Sequence, residues 1–177
     1  ISTEQKISYS SFDDNPVLSG VFAIFPSGSV VSEGDQKVDI YIEPASLSLY
    51  SEVSNEFGDQ ESIEVTSSAP AVMIYPSKKL KVENAFTIAV PIPEENNLSL
   101  TSLLENLVIF YKIIDFDKDE IRSGFKTKSS IKLSDDNKFL LMTTRFFGAF
   151  QAAFTKNKLS SEKEVKSKSA EIKSQLD

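Results

Sequence analysis

Histidine and cysteine are both absent from the 177 residues of this chain. Histidine is the usual general base near neutral pH and the commonest metal ligand. Cysteine supplies thiolate nucleophiles, soft metal sites and disulfides. Histidine-dependent hydrolysis, cysteine catalysis, ordinary zinc or copper sites and disulfide exchange are therefore excluded. Carboxylate chemistry, serine–lysine chemistry, hard-cation binding or no chemistry at all remain, and the last is favoured. Tryptophan is missing as well, so any stacking platform for a sugar falls to the tyrosines. Long apolar runs are also lacking. The longest is residues 107–111, resuming at Ile113, far short of the roughly 20 residues that cross a bilayer. Basic residues are in deficit: 19 Lys and Arg against 26 Asp and Glu leave a net charge of −7 and a pI near 4.8. That balance argues against nucleic acid, whose phosphates need a surplus of Lys and Arg. It also argues against anionic membrane surfaces.

An apolar fraction of 40% is enough for one well-buried core in a chain of this length. The chain begins at Ile1 without a methionine. It is expected to be a trimmed or mature fragment, with any signal peptide or lipid anchor lying outside it. A cysteine-free composition fits a periplasmic, outer-membrane-associated or extracellular protein that avoids disulfides, and fits a cytoplasmic one equally.

The apolar period is close to two over most of the length, which predicts strands. Val38, Ile40 and Ile42 share one face of a strand whose other face carries Lys37, Asp39, Tyr41 and Glu43. Phe86, Ile88, Val90 and Ile92 repeat the pattern, and Pro91 and Pro93 stop it. Residues 21–25 and 107–114 are apolar on both faces and read as central strands. Shorter strands are expected at 47–53, 62–66, 71–75, 131–133, 139–144 and 149–154. Turn residues at 26–28, 33–35, 57–59 and 135–137 separate them at sandwich-like intervals. The expected fold is all-β, an antiparallel β-sandwich with a short C-terminal helical tail.

Two segments depart from that pattern. Ser102 and Glu105 have capping-box spacing and predict one helical turn before the strand at Leu107. From residue 156 onward the aromatics stop, and Ser161 with Glu164 forms a second capping box. That tail is expected to be a charged helix or linker, solvated or packed on the sandwich or on a partner. It holds six Lys against four acids, leaving thirteen basic and twenty-two acidic residues, or −9, in the rest.

The sharpest local signal is the acidic stretch 115–120, directly after the strong strand. Asp115, Asp117 and Asp119 alternate as the oxygen ligands of a calcium loop do. An EF-hand loop would need Gly and Glu where this chain has Glu120 and Lys126, so that loop is excluded. A looser calcium site on a sandwich edge stays open beside the plainer reading, a polar loop that keeps a hydrophobic strand soluble. Paired carboxylates hydrolyse glycosides without histidine, but spacing in a β protein singles out no pair. Tyr41, on the solvent face of its strand, is the best-placed ligand contact for noncatalytic glycan binding. Ser129 and Lys132 have serine–lysine spacing but fall inside a β region. The Phe-rich segment 145–154 reads as a core strand with a bend or bulge at Gly148. Residues 97–99 fit a glycosylation sequon.

Several segments in this order resemble the ZU5 domain and the small β module that follows it in netrin receptors and ankyrins. Gly20-Val21-Phe22 resembles the glycine-led opening strand, and residues 42–47 resemble the proline-marked stretch after it. Ile74-Tyr75-Pro76 and Ile88-Ala89-Val90-Pro91 resemble the later proline-bearing strands, and residues 144–150 the aromatic closing strand. The resemblance covers about residues 17–155. Some bacterial envelope proteins carry comparable modules, and the Lys-, Ser- and Asn-rich composition is of the kind AT-rich bacterial genomes encode. The resemblance implies interaction or scaffolding rather than catalysis.

The organisation expected is an N-terminal arm (1–16), a ZU5-like β-sandwich (17–94), a second small β module or the completion of the same core (95–155), and the tail (156–177). The function expected is a noncatalytic protein-interaction or scaffold module of a larger bacterial envelope or surface protein, with no bound cofactor. Its contacts would be made by a sheet edge or by loops 91–97 and 115–121. The alternative is carbohydrate recognition, with or without calcium.

Overall fold

Residues 107–115 are apolar at nearly every position because their strand is buried on both faces. In the computed structural model, which describes residues 5–8, 20–26, 30–31, 39–57, 63–79, 81–93, 104–159 and 161–168, the other elements arrange around it. In chain order the first strands are β1 (Gln5–Ser8), β2 (Phe22–Phe25), β3 (Val30–Val31), β4 (Ile40–Pro44), β5 (Val65–Ser68), β6 (Val72–Pro76) and β7 (Lys81–Val82). They are followed by β8 (Phe86–Pro91), β9 (Leu107–Asp115), β10 (Glu120–Lys126), β11 (Ile131–Leu133), β12 (Phe139–Thr144), β13 (Phe147–Thr155) and β14 (Lys163–Lys168). A helix, α1 (Leu49–Glu56), and a 3-10 turn at Leu104–Asn106 complete the described elements.

Two antiparallel sheets face each other. The smaller has the order β1-β2-β8-β12-β11. The larger has the order β14-β10-β9-β13-β6-β4, and β5 joins it by pairing with the far half of β13. A short ribbon pairs β3 with β7. Both sheets join strands from residues 17–94 to strands from 95–155, so the two stretches share one core: β8 lies against β12, and β6 against β13. The arm contributes β1 to the edge of the smaller sheet.

The core lies between the inner faces. Ala23, Phe25, Phe86, Ile88, Val90, Leu140 and Met142 project from one sheet. Ile74, Leu107, Ile109, Tyr111, Ile113, Phe150 and Phe154 project from the other. Phe25, Phe86 and Phe147 stack at its centre, with ring centroids 4.5 Å apart for the first pair and 5.3 Å for Phe86 and Phe147. Each fully buried side chain of this size contributes about 1.5–3 kcal/mol by leaving water.

The outer face of the large sheet is also apolar, through Val108, Phe110, Phe125 and Ala153, and α1 covers it with Leu49 and Val53. Residues 47–53 therefore do not form the expected strand. Leu49 and Val53 are four apart, the spacing that sets them on one helical face, and Phe57 continues that stripe. The N-terminus of α1 is capped from a distance. Ser48, at the N-cap, makes no side-chain cap bond. Gln151 of β13, fully buried, instead accepts a 2.8 Å hydrogen bond from the Tyr50 N–H. The same amide donates to the carbonyls of Leu47 and Ala69, both at 2.8 Å. It sits where β5 and β6 part along β13, so one side chain satisfies the backbone groups that this parting releases.

The tail corrects a second expectation. Residues 163–168 are strand β14 on β10, not a helix. Gly124 makes this fit: a Cβ there would lie 2.2 Å from the Lys163 carbonyl oxygen and 2.7 Å from the Tyr111 hydroxyl. A helix over the same residues would leave the outer edge of β10 unpaired. Gly148 carries no register shift either, because β13 follows β9 continuously from Phe147 to Phe154. Its role is close approach, since a Cβ would lie 2.2 Å from the Lys112 carbonyl oxygen. The irregularity falls between Phe154 and Thr155, where β5 pairs.

Replacing Gln151 with Met keeps the length and removes three hydrogen bonds, leaving two carbonyls and one N–H without partners. Urea denaturation should register a loss of about 3 kcal/mol, whereas a loss under about 1 kcal/mol would remove Gln151 from this role.

Candidate functional site

The outer face of the large sheet is only partly covered by α1, and beside the helix it opens into an apolar groove of about 410 Å³. The groove crosses the strands. Ile121 of β10 and Lys112 and Ile114 of β9 line one part, and Met73 and Tyr75 of β6 and Pro44 of β4 line another. Leu49 and Glu52 of α1 form a wall. Gly148 and Ala149 lie in the middle, where the small side chains of β13 leave depth. The volume and the apolar lining with few polar groups are those of ligand pockets in general.

The charged residues of the groove lining are Glu52 and Lys112. Lys112 is 14% exposed and its ammonium lies 3.8 Å from Glu56. Tyr41 is 40% exposed and stands beside the groove, its ring 5.3 Å from Tyr75 on the neighbouring strand. Burial, with a hydrogen bond and charge from Glu43, pushes the Tyr75 phenol above its ordinary range. Leu47, leading into α1, is 72% exposed. Tyr41, the ligand contact expected from the sequence, thus lies next to a cavity that sequence spacing did not reveal.

The acidic stretch is organised differently. Asp115 is buried, and its Oδ1 accepts from the backbone N–H groups of Asp117 and Lys118 at 3.1 and 3.3 Å. Its Oδ2 accepts from Arg122 at 3.1 Å. Asp119 adopts φ 53°, the left-handed conformation that closes the β9–β10 turn. Among the described residues no group of three or more carboxylates comes together in a metal-holding arrangement. Asp115 is a turn anchor. Beside it a cavity of about 270 Å³ is lined by Lys118, Arg122, Arg145 and Phe146, with the Arg122 guanidinium 4.8 Å from the Phe146 ring centre. This cavity and the groove share Ile114, Phe116 and Phe147 in their walls.

A polar seam holds β14 to β10. The Tyr111 hydroxyl crosses over Gly124 and donates to Glu164 Oε2 at 2.6 Å. Burial and that carboxylate push the phenol well above its usual value. Glu162 accepts from Lys126 Nζ at 3.3 Å and from the Thr127 N–H at 3.1 Å. Burial pushes the Glu162 carboxyl up, but hydrogen bonds from Ser130 and Thr127 and the Lys126 charge outweigh it and hold the group below its ordinary range. A third cavity, bordered by Lys126, Lys128 and Lys132, offers cations already engaged in part, Lys126 by Glu162 and Lys128 by Glu105. Ser129 lies in a turn and Lys132 on β11, with no helix between them.

Of the two expected binding loops, 115–121 is the β9–β10 turn, and residues 94–97 lie outside the described residues. The sequon at 97–99 and Ser102 lie outside them too. Among the described residues no helix is long and apolar enough to cross a membrane. Compared with models of known families and with characterised proteins, the chain finds no match.

Because the folded Glu162 carboxyl is depressed, its stabilising effect is present above the ordinary value of 4.5 and is lost as pH falls through the lower folded value. Hydrogen exchange of the β14 amides should accelerate below that pH in the wild type. Glu162→Gln should show fast β14 exchange already at neutral pH and a flatter acid response; identical profiles would separate Glu162 from β14 docking.

Proposed function

We propose that this chain is a noncatalytic protein-interaction module that receives its partner in the groove beside α1. The observation that carries this reading is the groove itself, an open apolar cleft on a sheet face that α1 covers only in part. Its polar surroundings are sparse, and the strongest polar clusters described, around Asp115, Gln151 and Glu162, are occupied by backbone groups and ion pairs. The sequence supports the same reading through its lack of histidine and cysteine and its likeness to ZU5 modules over about residues 17–155. A scaffold role within a larger envelope or surface protein follows from that likeness. A second reading, glycan recognition, draws on the adjacent Tyr41 and Tyr75 rings. It requires that oligosaccharides bind the wild type and that Tyr41→Ala abolish the binding.

Selection of displayed peptides on the full chain tests the first reading. Ala149→Leu fills the middle of the groove from a half-buried position and should leave the melting temperature within a few degrees of wild type. Peptides enriched on the wild type should lose roughly tenfold or more in affinity for this variant. Enriched peptides that bind both proteins equally would place recognition elsewhere.

A further inference from the structure

The charges around the groove are unevenly placed, and this bears on the chemistry of its occupant. Along the side formed by α1 and β4 stand three carboxylates, Glu52 and Glu56 on the helix and Glu43 on the strand, against one ammonium of the lining, that of Lys112 on β9, which already lies 3.8 Å from Glu56. Glu43 stands on β4 opposite Met73, a lining residue, and beside Tyr75, whose ring face attracts cations as tyrosine faces do. Beyond Phe116, at the turn end, the cations Lys118, Arg122 and Arg145 gather with Asp115 and Asp117. At the turn the charges balance, since Arg122 is engaged by both Asp115 and Glu164, so the uncompensated charge around the groove is the carboxylate surplus beside α1 and β4.

We propose that the groove takes a peptide segment with apolar side chains along its length and a Lys or Arg at the end seated against α1 and β4. This rests on the interaction-module reading and specifies its partner. The apolar lining accepts Leu, Ile, Phe or Met side chains. The surplus carboxylates favour a basic group, and the net charge of −7 steers acidic partners away. Because the groove crosses the strands from β10 to β4, the segment lies over the sheet and is held by its side chains rather than added as an edge strand. An anionic amphiphile would find one basic residue in the described lining, Lys112, and would have to displace Glu56 to reach it.

The test uses the full chain and three labelled synthetic peptides with the same Leu- and Phe-bearing body, ending in a Lys pair, a Gln pair or a Glu pair. Fluorescence polarisation should give tightest binding for the Lys peptide, roughly tenfold weaker binding for Gln, and weaker still for Glu. Glu52→Lys, at an exposed helix position, should reduce or invert that order, and Ala149→Leu should weaken the Lys peptide. Equal binding of all three peptides, still sensitive to Ala149→Leu, would overturn the charge assignment and leave the groove standing. Binding of the Lys peptide that ignores Ala149→Leu, or no binding by any peptide, would overturn both. Decanoate that displaces the Lys peptide without micelles would also overturn the proposal, in favour of an anionic amphiphile.

Discussion

The structure depends on burying both faces of β9 and β13 at once. A strand apolar on two sides must have cover on two sides. The smaller sheet covers the inner face, where Ile109, Tyr111 and Phe150 meet Phe86 and Ile88. Among the described residues α1 is the one α-helix over the outer face, and its eight residues make a helix about 12 Å long. The six ordered strands of the large sheet span about 24 Å. Cover is therefore incomplete, and the groove is the remainder. Gln151 fixes where the helix sits, because its amide binds the start of α1 and the joint between β5 and β6 together.

Much of this was legible in the residues. The runs at 21–25 and 107–114 predicted central strands because they are apolar on both faces, and the alternation at 86–92 predicted a further strand. The pairing of Phe150, Ala152 and Phe154 on one face was readable for the same reason. Residues 47–53 were misread because Leu47, Leu49 and Val53 satisfy a period of two over a short window, and only the spacing of Leu49, Val53 and Phe57 favours a helix. β10 was missed outright, although Ile121, Ser123 and Phe125 alternate, because Gly124 and the charged residues hide the pattern. The reason for Gly124 lies in Tyr111 and β14, thirteen and some forty residues away.

The candidate site was less legible. Tyr41 was placed correctly on an exposed strand face, since a single strand decides it. The groove draws on α1 and strands β4, β6, β9, β10 and β13, so no local pattern could announce it. The acidic stretch left a cation site and a polar turn both open, because turn anchors and calcium ligands use the same residue at the same short spacing. The distinction rests on where the oxygens point, and in Asp115 they point at backbone N–H groups and Arg122.

The position of β14 has a consequence for synthesis on the ribosome. β10 is made well before its outer neighbour, and roughly a few seconds of elongation separate the two. During that interval β10 is a nascent edge with open N–H and C=O groups, the kind of template on which chains join wrongly. Arg122 and Lys126 lie along it and pair with Glu164 and Glu162 once β14 is in place. The same charges that later lock the strand in place guard the edge until it arrives. A single arrangement of side chains thus serves as a shield during translation and as a fastening afterwards.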